Sequence, residues 1–126
     1  MLDVEVIGTA AGAPPEAEIE RLVGIALASA DIEDGHVAVA FVGAARIAAL
    51  NAEHRGTEGP TDVLSFPVDE DGESVGPREL GDVVVCPEYT VDLCEAVIHG
   101  VLHLTGMDHE TDAGEMLALQ AEILSW

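Results

Sequence analysis

The sequence predicts an α+β domain, a sheet with helices layered on it. Two patterns carry this. Four short runs rich in β-branched residues alternate with, or adjoin, four longer stretches whose apolar residues recur at helical spacing. In order they read β-α-β-α-β-β-α-α, which suits a layered α+β architecture. Composition adds a third observation. Hydrophobic residues make up 48% of the 126 positions but aromatics only 3%. One domain over residues 1–126 is expected, with a core of Val, Leu, Ile and Ala.

Each element has its own warrant. Leu2 to Ile7 alternates in type and reads as a strand. "GTAAGAPP" follows as a loop whose prolines suit a helix start. From Glu16 to Ala30 the apolar residues Ile19, Leu22, Val23, Ala26 and Leu27 mark one helix face, with acidic residues in the first turn, as the helix dipole favours. "DIEDG" is a turn. His36 to Val42 is a second, β-branched strand, and Ala44 to Glu53 a second helix with Ile47 and Leu50 inward. Val63 to Val68 and Gly81 to Cys86 are apolar runs around an Asp/Glu/Gly-rich connection, a hairpin-like signal with a long acidic tip. Val91 to Leu104 is apolar nearly all round and should be a buried helix. Thr111 or Asp112 can cap a last helix, to which Met116, Leu117, Leu119, Ala121, Ile123 and Leu124 give apolar surface.

Charge and composition exclude several classes. No apolar run reaches the roughly 18 residues of a membrane span. The acidic start "MLDVEVIG" lacks the basic region of a signal peptide, so a cytoplasmic location is expected. Two cysteines, Cys86 and Cys94, make no disulfide framework and should be reduced. Twenty-five acidic residues face four arginines and no lysine, a formal net charge of -21. Bulk attraction to polyanions is therefore excluded as a source of binding.

Three of the five histidines fall in "HGVLHLTGMDH". His99 and His103 are four apart, which on a helix puts both imidazoles on one face with Cβ atoms about 5–6 Å apart. Gly106 can end that helix and turn the chain back, so that His109 joins the pair. Three histidines with an open fourth position describe a catalytic zinc site. Metzincin peptidases share the spacing, but a glutamate follows their first histidine as general base. Here that residue is Gly100, either packed tightly against the sheet or approached closely by another backbone or a substrate.

"HGVLHLTGMDHE" resembles the signature of the YbeY family, bacterial metal-dependent endoribonucleases that mature ribosomal RNA. "LNAEHRGTEGPTDVLSFP" (Leu50 to Pro67) and "LGDVVVCPE" (Leu80 to Glu88) are similar to that family's upstream blocks, in the same order. The resemblance implies a mixed sheet of about four strands around a central zinc-binding helix, with flanking helices. It implies one zinc held by His99, His103 and His109, and a functional arginine at Arg55. It further implies single-strand-specific cleavage of RNA in the maturation of ribosomal RNA 3′ ends, chiefly of the small subunit. A role in ribosome quality control follows, with the small subunit or its assembly proteins as partners and no membrane. The segment before His99 is shorter than the family usually has.

Remaining polar residues divide by role. Arg55 can pair with phosphate oxygens in a bidentate manner; Arg46 is expected in a surface salt bridge. Glu95 lies one turn before His99 and is either a carboxylate orienting it or an exposed residue of the helix start. Asp108 holds neighbouring imidazoles or the turn, Asp62 caps the loop before a strand, and His36 and His54 are surface or packing residues. No residue stands out as general base. Two other functions stay open: a zinc peptidase, and a non-enzymatic ribosome-assembly factor with a structural metal, which the acidic surface favours.

Overall fold

Alternating valines build the sheet. The computed structural model describes residues 2–8, 14–32, 34–67, 79–105 and 114–125. Strands β1 (Leu2–Ile7), β2 (Gly35–Phe41), β3 (Val63–Pro67) and β4 (Glu79–Val85) form one sheet in the order β1-β2-β4-β3. β1 and β4 both run parallel to β2, whereas β3 is antiparallel to β4. The expected mixed four-stranded sheet is what forms, and the strand pair β3/β4 is the expected hairpin. The acidic connection between them lies outside the described residues.

Helices α1 (Glu16–Ala28), α3 (Leu93–Leu104) and α4 (Glu115–Leu124) cover one face of the sheet, and α2 (Ala44–Arg55) lies on the other. Val37, Val39, Val63, Val83 and Val85 meet Leu22, Val23 and Leu27 of α1, Ile98 and Leu102 of α3, and Met116 and Ile123 of α4. On the opposite face Leu64, Val84 and Cys86 pack on Ile47. Each such side chain contributes roughly 1.5–3 kcal/mol by burial. A short helical turn at Pro87–Tyr89 leads from β4 towards α3.

The helix ends differ from the sequence reading, each for a local reason. α1 stops at Ala28, not Ala30, because Asp31 turns left-handed (φ 60) and the Ile32 N–H reaches back to the Leu27 carbonyl. Aspartate is among the few residues that tolerate that conformation. α2 runs on past Glu53 to Arg55, since Gly56 (φ 66) supplies its left-handed cap. α3 begins at Leu93 and leaves Val91 fully exposed, because the Asp92 carboxylate accepts the Glu95 N–H at 3.1 Å as N-cap. α4 is preceded by Gly114 in the cap position. Thr111 and Asp112, read as caps, lie outside the described residues. Of the apolar residues assigned to α4, Leu117 and Ala121 are exposed, and the polar Gln120 is buried instead.

Gly100 sits where α3 crosses the sheet most closely. A Cβ there would overlap Val83 Cγ1 and lie 3.2 Å from Val63 Cγ2 and 3.3 Å from Ser65 Oγ. The Ser65 hydroxyl donates to the Gly100 carbonyl at 2.7 Å. Tight helix–sheet packing, one of the two readings of this glycine, is what the structure has. Val83 is fully buried and stiff at χ1, so it cannot swing aside. We expect Gly100→Ala to lose about 1–3 kcal/mol by overpacking, although alanine is intrinsically about 1 kcal/mol better within a helix. Urea unfolding followed by circular dichroism checks this; a variant as stable as the wild type would refute it.

Candidate metal centre

Asp92 caps α3 and the sheet fixes its rotation, which brings one polar row to the rim of an otherwise apolar helix. His99 and His103 occupy that row, both half-buried. Their rings meet edge to face with centroids 4.7 Å apart, and the two Nε2 atoms are 3.1 Å apart. Two imidazoles bound to one tetrahedral zinc at about 2.0–2.1 Å would hold their nitrogens about 3.3 Å apart. The pair therefore fits a shared metal.

Behind His99 stands Gln120 of α4, buried with 9% exposure. Its Oε1 is 2.8 Å from His99 Nδ1. An oxygen at that position takes the Nδ1 proton as a hydrogen bond and leaves the Nε2 lone pair facing His103. This is the arrangement a metal-ligating histidine needs, with its outer nitrogen held by a fixed acceptor. The sequence reading missed Gln120. The signal was present: residues 116, 120 and 123 form one helical row, and Met116 and Ile123 bracket Gln120 in the core. Gln120→Leu is expected to weaken zinc binding about 10–100-fold, with Gln120→Glu recovering it. Competition against a chromogenic chelator measures this, and unchanged affinity in Gln120→Leu would remove the role.

The other site residues fall as follows. His109, Gly106 and Asp108 lie outside the described residues. Among the described residues no group of three His, Cys, Asp or Glu side chains gathers. Arg55 is the last residue of α2, exposed, and makes no hydrogen bond or ion pair with either histidine. Glu95 is exposed and enters the structure through its backbone in the α3 cap, without a side-chain bond to His99. The Asp62 carboxylate accepts the Val63 N–H at 2.9 Å and so starts β3, as expected of a cap. His54, exposed on α2, packs on Phe66, and His36 faces Asp3 at 3.8 Å, in keeping with surface or packing residues. Arg46 corrects its expectation: among the described residues it has no carboxylate partner. It is exposed on the first turn of α2, and no acidic residue lies in that turn.

Cys86 and Cys94 are both free. Burial, with Asp92 and Glu18 nearby, pushes the Cys94 thiol up. It stays protonated at neutral pH and is no nucleophile.

A family model described as endoribonuclease YbeY matches residues 12–126. A Geobacillus kaustophilus protein named endoribonuclease YbeY is 40% identical over 129 aligned positions, covering 85% of this chain and 83% of its own length. A Corynebacterium glutamicum protein of the same name is 38% identical over 127 positions, with 82% of this chain covered. The match spans 65% of that relative's length. Among solved structures, the solution structure of TM1509 from Thermotoga maritima superposes with a TM-score of 0.59 at 29% identity, covering 96% of this chain and 86% of that one. Family model, relatives and fold agree: the chain belongs to the endoribonuclease YbeY family.

Proposed function

We propose that the protein is a zinc-dependent endoribonuclease that cuts single-stranded RNA. The observation that carries the reading is the His99–His103 pair, with nitrogens 3.1 Å apart and one ring held by Gln120, in a chain of this family. His99 and His103 would hold the metal, with His109 as the third ligand. A zinc there would supply Lewis-acid polarisation of a phosphoryl oxygen and a water with its pKa lowered towards about 7.

The chain's own residues then divide the work. Gln120 keeps the His99 proton on Nδ1. The Arg55 guanidinium binds phosphate oxygens through parallel N–H donors and stabilises the charge that builds there. The packing at Gly100 speaks against the peptidase reading. No side chain fits at the position where a metzincin carries its glutamate base, and Glu95 makes no side-chain bond to His99.

In the cell the substrate is ribosomal RNA, chiefly the 3′ end of the small-subunit precursor, and the setting is ribosome maturation and quality control. The small subunit or its assembly proteins are the partners, and the cytoplasm is the location. Among the described residues no helix is long and apolar enough to cross a membrane. The test is cleavage of a small-subunit 3′ precursor by zinc-loaded protein. We expect cuts in its single-stranded segment, none in a fully paired control, and loss of cutting on chelation with recovery on adding zinc. Intact single-stranded RNA under these conditions would sink the proposal.

A further inference from the structure

The face of the sheet opposite the histidines is only partly covered. α2 packs over Leu64 and Val84, and beside it a cleft of about 380 Å³ opens. Its floor includes Ala38 and Ala40, the small residues of β2. Its helix wall is one stripe of α2, Arg46, Leu50 and His54, spaced four residues apart. The two ends of the cleft differ. His54 packs edge to face on Phe66, ring centroids 4.8 Å apart, and Phe66 pairs across the sheet with Asp82, which pairs with Ala38. Rings and a carboxylate therefore share one end. Arg46 lies two helical turns away, about 12 Å.

Charge singles out this wall. The chain carries a net charge of -21 and four arginines. Arg21 is bound to Glu18 in a two-point ion pair, and Arg78 lies outside the described residues. Arg46 and Arg55 remain, both on α2, which is the one described element with more arginines than acidic residues. Among the described residues neither has an ion-pair partner.

We infer that this cleft is a nucleotide subsite for single-stranded RNA, holding one residue of the chain away from the point of cutting. The inference rests on the endoribonuclease reading and adds where the chain is gripped. A volume of about 380 Å³ is at the small end of ligand sites, about 300–1,000 Å³, and suits one nucleotide. Arg46 binds the phosphate as a charge-assisted donor. The base stacks on the exposed His54 ring, which Phe66 supports edge to face, as bases of single strands do on exposed aromatic faces. Asp82 accepts N–H groups from its Watson–Crick edge. Guanine presents two adjacent donors there, which matches the two carboxylate oxygens best. The acidic remainder of the surface repels RNA, so the grip is local.

The test is fluorescence anisotropy with a short labelled single-stranded RNA, shown by gel to stay uncut during the titration. Arg46→Gln is expected to raise Kd about tenfold, and His54→Ala about fivefold or more. Both residues are exposed, so the melting temperature should hold. Guanosine monophosphate should displace the RNA better than uridine monophosphate, and Asp82→Asn should remove the difference. Wild-type Kd in both folded variants would overturn the subsite while leaving the endoribonuclease reading intact. A mononucleotide binding as tightly as the oligonucleotide would overturn it in favour of a free nucleotide. An arginine-rich peptide that binds the cleft in place of RNA, and is lost in Asp82→Asn, would overturn it in favour of a basic protein partner. A wild type that neither binds nor cuts single-stranded RNA removes the endoribonuclease reading, and the subsite with it.

Discussion

His103→Ala is expected to leave the protein folded but without its metal, and to lower RNA cleavage at least about a thousandfold, some 4 kcal/mol of transition-state stabilisation. The reason is geometric. His99 Nε2 and His103 Nε2 are 3.1 Å apart, and in the proposed site each supplies one of its imidazole donors. A single imidazole, even one oriented by Gln120, keeps one donor and loses the chelate. The alanine should be tolerated because His103 is only half-buried, near the C-terminal end of α3. The core residues of that helix, Val97, Ile98, Val101 and Leu102, are untouched. Metal content by mass spectrometry should fall from one zinc per chain to a small fraction of that. Urea unfolding of the two metal-free proteins should agree within about 1 kcal/mol, since only the metal-bound form gains stability from the ligand. A His103→Ala protein that keeps its zinc and cuts RNA normally would contradict the assignment. A variant that loses zinc yet cuts normally would leave the metal a structural role only.

The sheet and the helix that carries the histidines were legible because their signals are redundant. Val37, Val39, Val83 and Val85 combine β-branching with alternation, and α3 is apolar on nearly every side. Either pattern alone points to burial. Boundaries were less legible, because single hydrogen bonds decide them. Asp92 as N-cap excludes Val91 from α3, and Gly56 extends α2 by two residues. Gln120 was passed over for a different reason. Its burial follows from its row on α4, but residue type alone marks glutamine as surface. Its partner, His99, is 21 positions away, and no local pattern links the two. The cleft beside α2 was equally hidden. It depends on two small residues of β2 and on the strand order that places Asp82 next to Ala38 and Phe66 next to Asp82.

Arg55→Ala should reduce kcat/KM for single-stranded RNA about a hundredfold, close to 2.7 kcal/mol, while zinc content stays at one per chain. Loss of one preorganised donor at a developing negative charge is typically of this size. The two effects can be separated because of where Arg55 lies. It is exposed at the end of α2, where a cation also complements the helix dipole, an effect of about 0.3–1 kcal/mol. Its removal should therefore cost little stability, and a large fall in rate cannot be ascribed to unfolding. Arg55→Lys sharpens the point. Lysine keeps the charge and the dipole interaction but lacks the planar fork, so it should restore stability fully and rate only in part. Equal rescue of both would mean that charge alone matters and that no bidentate contact is made. Processing of ribosomal RNA in cells that carry only Arg55→Ala then decides between an enzyme and an assembly factor. Unprocessed 3′ ends alongside a stable, zinc-loaded variant require the phosphate contact. Normal ends would mean that the acidic surface acts in ribosome assembly without cutting, because this substitution leaves fold and metal in place and removes only the phosphate contact.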